Sequence, residues 1–350
     1  MIYIYEVLAD MNVLYDAFLK CKKNVDWKCS VQRYEANILQ NLTRLRKSII
    51  DGTYKVCNYV EFDINERGKI RHIKSPAFED RILQRALCDY ILEPIIYPYL
   101  IYDNGASIKG KGVNFSRKRL KRHLIKYYKK YGNKGYILVC DFSKFFDSIP
   151  HDKLITALEK HITDKRVMNL IKQIIASFSN TGVGLGIGSQ ISQICGVYYP
   201  TPLDNYCKIV KQCEFYGRHM DDFYIINNNK EFLQKLLIDI EKIADDLGLT
   251  LNKRKTQIYR IDKGFIYLKQ FIFMTESGKI VCKPYKKNVV HERQKLKSFK
   301  IKVNNKEMDA SDIENIYKSW RGSIRKYNSY HIIQNMDGLY YELFKERQTK

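Results

Sequence analysis

The chain has 350 residues, 45% hydrophobic and 28% charged, enough for a sizeable core divided into two or three subdomains. Sixty-one Lys and Arg against 38 Asp and Glu leave a net charge of +23 and a pI near 9.4, which favours a polyanionic partner, either nucleic acid or an anionic membrane surface. Membrane insertion is not expected, because the first ten residues carry acids where a signal peptide needs an apolar block and no run of about 18 apolar residues occurs. The nine cysteines form no Cys-x-x-Cys pair, and Cys140 and Cys195 lie in apolar runs, which fits a reducing cytoplasm better than disulfides or zinc.

Residues 11–50 read as helical, with Leu14, Phe18, Ile38, Leu39, Leu42, Leu45, Ile49 and Ile50 supplying apolar faces until Asp51-Gly52 breaks the pattern. Residues 59–64 alternate as a strand, 65–68 turn it, and 69–73 return antiparallel with Lys69 and Arg71 on one face. A helix over 78–92 carries Ile82, Leu83, Leu87, Ile91 and Leu92 inward, and Pro94 is expected to end it. Residues 107–112 form a glycine-containing basic loop with Lys109 and Lys111, whose backbone amides can approach phosphates. The stretch 104–136 holds eleven Lys or Arg and no acid, while Leu120, Leu124, Tyr127 and Tyr131 recur at helical spacing, so one face packs and the other is cationic. A charge run is ordinarily a solvated face, but one this lopsided favours contact of Arg117, Lys118, Lys121 and Arg122 with template or structured RNA.

Residues 135–140 are an apolar run that delivers Asp141 at its carboxyl end, as a buried strand does, with Phe142, Phe145 and Phe146 directly after. A helix is expected over 152–178, and the glycine-rich 182–188 leads into another that starts at Ser189 and reaches Val210 with an interruption near Pro200 and Pro202. Phe215-Tyr216 and Phe223-Tyr224-Ile225-Ile226 flank Asp221-Asp222, the pattern of a hairpin whose tight turn exposes both acids. Adjacent carboxylates repel and are tolerated best under a cation, for which hard oxygen ligands suit Mg²⁺ or Mn²⁺. Alone, such a turn is more often just a solvated loop. With Asp141 80 residues earlier, three carboxylates on two strand ends can converge on two metal ions for in-line phosphoryl transfer. An amphipathic helix over 231–247, packing through Phe232, Leu233, Leu236, Ile238, Ile240 and Ile243, strands over 264–274, and three basic helices near 288–301, 311–326 and 329–346 with Trp320 as core anchor complete the chain.

Five of these stretches, in order along nearly the whole chain, resemble motifs of bacterial retroelement reverse transcriptases. Gly68-Lys69-Ile70-Arg71 with residues 80–87 resembles the fingers motif, Asp141 with Phe145-Phe146 motif A, Gly188-x-x-x-Ser192-Gln193 motif B, Met220-Asp221-Asp222-Phe223 motif C, and residues 251–256 motif D. The form of motif B, the small size and the ending Ser319-Trp320-Arg321-Gly322 are most similar to the diversity-generating retroelement branch, related to group II intron-type and phage-defence enzymes. The resemblance implies an α+β right-hand polymerase fold, with fingers over 1–135, palm over 136–285 and a small helical thumb over 286–350. It implies a cytoplasmic RNA-directed DNA polymerase, bacterial or prophage-encoded, whose Mg²⁺ (or Mn²⁺) is held by Asp141, Asp221, Asp222 and the carbonyl of Phe142.

The same resemblance puts Lys69 and Arg71 on the incoming triphosphate, Lys255 on the pyrophosphate, and Ile187, Gly188 and Gln193 beneath the templating base and nucleotide. Phe146 then lies below the sugar, where a ring leaves no room for a 2′-hydroxyl. Retroviral relatives carry Gln where Ile187 stands, so an apolar residue there implies weak rejection of mispairs. Residues 264–274 resemble the primer grip, although Lys269-Gln270 departs from the usual Leu-Gly-aromatic pattern. Implied partners are an RNA template or structured noncoding RNA, a cDNA or primer strand, dNTPs and an accessory protein. Two further roles stay open: an antiphage enzyme working with a noncoding RNA or without a template, and a non-catalytic RNA-binding scaffold, against which the three aspartates count.

Overall fold

The computed structural model describes residues 4–66 and 68–344. Helix α1 (Met11–Lys22) starts where the Asp10 carboxylate accepts the Asn12 amide at 2.7 Å, and it buries Val13, Leu14, Ala17 and Phe18. After a break and a short helix, α2 (Ile38–Ile50) buries Leu42, Leu45 and Ile49 and ends before Gly52, whose φ is +66°. Leu39 and Ile50, expected on that apolar face, are exposed, because each lies roughly a quarter-turn off the buried stripe. Strands β1 (Val60–Glu66) and β2 (Lys69–Ser75) form a separate antiparallel sheet in which Arg71 faces Ile64 across the ladder.

Helix α3 (Phe78–Leu87) passes into a π-helical turn over Cys88–Leu92 and a short helix over Glu93–Ile96. Pro94 therefore does not end the helical run. It sits in the first turn of the new segment, where its missing N–H costs nothing. Helix α4 (Val113–Tyr131) buries Leu120, Leu124 and Tyr127, while Tyr131 is exposed. Strand β3 (Tyr136–Asp141) precedes two helices, His151–Glu159 and α5 (Lys165–Ala176), in place of one. The Asp164 carboxylate accepts the amides of Arg166 and Val167 and restarts the helix there.

Helix α6 (Gln190–Tyr198) is followed by Thr201–Asn205 with Pro202 in its first turn. Then come β4 (Tyr216–His219), β5 (Asp222–Asn227), α7 (Lys230–Asp246), β6 (Gln257–Arg260), β7 (Phe265–Tyr267), β8 (Gln270–Met274) and β9 (Ile280–Pro284). On α7, Leu233, Leu236 and Ile240 are buried as expected but Ile238 is exposed. Strands β4-β5-β3-β6 form one sheet and β7-β8-β9 another. The chain ends in α8 (Lys286–Asn304), α9 (Ala310–Ile324) and α10 (Tyr330–Phe344).

Two compact units result, and β3 and β5 run from one into the other. The first comprises residues 1–116, 140–223 and 234–256; the second comprises 117–139, 224–233 and 257–350. Within the second, Val289, Leu296, Ile313, Tyr317, Met336 and Tyr340 close a core between α8, α9 and α10, and Trp320 packs on it half-buried, stacked on Tyr317. The Arg321 guanidinium holds the Asp337 carboxylate at 2.9 Å across the same helices.

Candidate active site

Residues Ile137–Cys140 are buried because β3 is covered on both faces, and this brings Asp141 to the strand end with only 4% of its surface exposed. Beyond it Phe142 bridges to Leu251: the Asn252 amide donates to the Asp141 carbonyl at 2.7 Å and the Ser143 amide to the Thr250 carbonyl at 2.8 Å. That bridge does not engage the carbonyl of Phe142. Asp221 lies in the two-residue turn between β4 and β5, and Asp222 is the first residue of β5, both half-buried. Met220 takes φ +58° in this turn, a left-handed conformation that costs a non-glycine residue roughly 1 kcal/mol.

The Asp222 carboxyl lies within hydrogen-bonding reach of Asp141, and burial, then the charges of Asp221 and Asp141, push it up to about 8. The Lys255 ammonium contacts Asp141 Oδ2 at 2.8 Å, beside the Asn252 side-chain amide at 3.4 Å. Partial burial works against the charged form of Lys255, yet its contact with Asp141 prevails and holds the ammonium above its usual range. Crowding of three carboxylates around one lysine charge favours a bound cation, and hard oxygen donors of this kind fit Mg²⁺ or Mn²⁺. Among the described residues, no group of three or more His, Cys, Asp or Glu side chains is placed so that it could hold a metal ion as it stands. The fit therefore rests on donor chemistry.

Beneath the turn is a pair that sequence reasoning missed. Arg218 and Asp204 are both 0% exposed. Arg218 Nε and Nη2 donate to the two Asp204 oxygens at 2.8 and 2.6 Å, Nη2 also to the Val197 carbonyl at 2.8 Å, and Nη1 to the Met220 carbonyl at 3.0 Å. Tyr216 donates its hydroxyl to Asp204 Oδ1 at 2.5 Å. The available signal was Arg218 two residues from Tyr216, hence on the same face of a strand.

Of the remaining candidates, Phe145 is buried against Phe142, whereas Phe146 is half-buried and rests on α6 at Gly196, where a Cβ would stand 3.0 Å from its ring. The Ile187 carbonyl accepts the Lys74 amide at 3.0 Å, and Gly188 has φ +118° with the Lys74 carbonyl 3.1 Å from where a Cβ would be, so a side chain there is excluded twice. Ile187 lines a cavity of about 220 Å³ with His72, Lys74 and Asp147. Gln193 accepts the Ser107 hydroxyl at 3.3 Å. Arg71 is half-buried on β2, and the side chain of Lys69 lies outside the described residues.

The cationic candidates separate. Lys109, Lys118, Lys121 and Arg122 are exposed. Lys111 turns back to the Tyr102 carbonyl at 2.7 Å, and Arg117 is spent within the second unit, on the Leu268 carbonyl at 2.5 Å and over the Tyr327 ring.

The sequence profile of the family described as reverse transcriptase (RNA-dependent DNA polymerase) matches residues 62–306. The chain belongs to the reverse transcriptase family, the RNA-directed DNA polymerases. Among curated proteins, this reverse transcriptase is 24% identical to protein YkfC of Escherichia coli over 67% of the chain and 71% of that protein. It is 25% identical to the putative COX1/OXI3 intron 2 protein of Saccharomyces cerevisiae, over 63% of the chain but only 26% of the yeast protein. A telomerase structure from Candida albicans matches with a TM-score of 0.50 at 13% identity, over 67% of this chain and 46% of that one. The α+β architecture is the right-hand polymerase fold. Among the described residues, no helix is long and apolar enough to cross a membrane.

Proposed function

We propose that this reverse transcriptase copies an RNA template into cDNA by two-metal nucleotidyl transfer, and that it does so with low fidelity in a bacterial diversity-generating retroelement. The observation that carries the chemistry is the meeting of Asp141 with Asp222 beside Asp221, a charge excess that asks for divalent cations. Bound Mg²⁺ or Mn²⁺, held by these aspartates and the Phe142 carbonyl, would ease deprotonation of the primer 3′-hydroxyl and offset charge on the leaving pyrophosphate. Lys255, now on Asp141, is within reach to exchange that carboxylate for the pyrophosphate and to give it a proton. Arg71 and Lys69 bind the triphosphate, and the Phe146 ring limits the sugar to the deoxy form.

Low fidelity is read from Ile187. Its side chain offers no hydrogen bond to the nucleotide, so a mispair leaves no polar group unpaired and loses little. Fingers over 1–135, palm over 136–285 and thumb over 286–350 remain the proposed division, in a cytoplasmic enzyme working with an accessory protein. RNA binding is assigned to α4, where exposed Lys118, Lys121, Arg122, Lys126 and Lys129 recur at three- and four-residue steps along one face. The test is extension of a DNA primer on a defined RNA template with Mg²⁺ or Mn²⁺, followed by sequencing of the cDNA. Extension with errors concentrated at particular template bases supports both parts; faithful extension removes the diversity-generating role, and no extension removes the polymerase reading.

A further inference from the structure

We propose that the buried Arg218–Asp204 pair is the positioning device of the catalytic turn: it fixes the Met220 carbonyl, and through it the backbone that carries Asp221 and Asp222. This rests on the polymerase reading above. Four donations from one guanidinium join three segments of the first unit: Asp204 in the Thr201–Asn205 helix, Val197 in the last turn of α6, and Met220 in the turn itself. The strand backbone is pinned at the same residue, since the Arg218 amide donates to the Asp103 carbonyl at 3.1 Å and its carbonyl accepts the Gly105 amide at 3.0 Å.

Stability alone is a poor reason for this arrangement. A fully buried ion pair loses in desolvation much of what it gains in attraction, and well-packed apolar residues of the same volume often do as well. What an apolar pair cannot do is hold a carbonyl. Met220 at φ +58° is in a conformation that non-glycine residues leave unless something retains them, and Arg218 Nη1 is bonded to that residue's carbonyl oxygen at 3.0 Å. The next two residues are the two carboxylates. A peptide rotation at Met220 would swing Asp221 away from Asp141 while leaving the rest of the strand in place.

Geometry also explains why the cation is arginine. Its planar fork spans both Asp204 oxygens and still reaches two carbonyls, whereas a lysine ammonium is a single point of charge that can satisfy Asp204 but not the others. Tyr216 donates its hydroxyl at 2.5 Å to the same Asp204 oxygen that Arg218 Nε holds, so the carboxylate has little freedom to follow a displaced partner.

The experiment is a double-mutant cycle of Arg218→Lys and Met220→Gly in the full chain, with thermal melting to monitor folding. Single-nucleotide addition gives kcat and KM, and electron paramagnetic resonance without substrate reads Mn²⁺ binding. Arg218→Lys is expected to lower kcat about tenfold with the dNTP KM within about twofold, and to weaken Mn²⁺ binding. Glycine holds the left-handed turn unaided, so in the Met220→Gly background the same replacement should lower kcat by only about threefold. Equal losses in both backgrounds, or losses that track the folded fraction, overturn the proposal. Should Arg218→Lys fail to fold, Tyr216→Phe removes only the hydroxyl that orients Asp204. A lower kcat and weaker Mn²⁺ binding at unchanged melting temperature then support positioning, and wild-type values for both overturn it. Failure of the wild-type protein to extend any primer defeats the polymerase reading instead, and is told apart because Mn²⁺ binding still reports on the turn.

Discussion

Two hairpins carry the groups assigned to opposite ends of the reaction, and they are built differently. The β4–β5 turn presents Asp221 and Asp222 over a buried, fully hydrogen-bonded ion pair, with Phe223, Tyr224, Ile225 and Ile226 packed behind it. The β1–β2 hairpin, which carries Lys69 and Arg71, is an isolated two-stranded sheet with Val60 64% and Ile70 69% exposed. Its opposite face is held by surface charge pairs of His72 with Glu61 and Asp63 and of Lys74 with Glu61, of a kind worth little in water. Two strands alone are marginally stable. On the proposed roles, the difference separates rigid chemistry from adaptable capture: the carboxylates are set before substrate arrives, while Lys69 and Arg71 ride on a two-stranded element tied at its base through the Lys74 amide to the Ile187 carbonyl.

If that contrast is right, changes at the turn should appear in kcat and changes at the hairpin in KM. Asp221→Asn is expected to lower nucleotide incorporation on the order of 10³-fold while leaving RNA affinity near wild type, as measured by primer extension alongside filter binding. Lys255→Met should cost about tenfold in kcat, because it removes both the counter-charge on Asp141 and the proposed proton donor to pyrophosphate; an effect confined to KM would place this lysine with the hairpin instead. Arg71→Ala should raise the dNTP KM about fivefold with a smaller change in kcat, and the reverse split would dissolve the contrast.

Weaker effects follow outside the two hairpins. Replacing Lys118, Lys121 and Arg122 by Gln should reduce the salt dependence of RNA binding by roughly two units of slope in titrations at several salt concentrations; an unchanged slope would mean that α4 is merely solvated. Ile187→Gln should lower misincorporation about two- to threefold in sequenced cDNA, at modest cost in rate.

The hairpins, the strand that delivers Asp141 and the three terminal helices were legible because hydrophobic periodicity and turn chemistry report backbone type directly. Leu39, Ile50 and Ile238 were not, since composition counts apolar residues whereas burial depends on where each falls around the helix axis. Pro94 misled because its effect depends on position within a turn. Within the site, Asp141, Asp221, Asp222 and Lys255 stood out by residue type and order. The Arg218–Asp204 pair did not, because its meaning is pairwise and spatial: each residue alone looks like an ordinary surface charge, and 14 positions separate them. Arg117 shows the opposite error, a cation within a basic run that is used to brace a loop.

The ring of Phe146 lies where it does because α6 offers it a backbone without a side chain at Gly196, whose absent methyl would press on the ring at 3.0 Å and on the Met220 sulfur at 3.3 Å. On the role proposed for Phe146, sugar preference is a property of two positions fifty residues apart in sequence, an aromatic surface and the shelf that sets its height. On that proposal, a drift toward accepting ribonucleotides need not pass through Phe146 at all, since one added carbon on the shelf presses on the ring and on the Met220 side chain together.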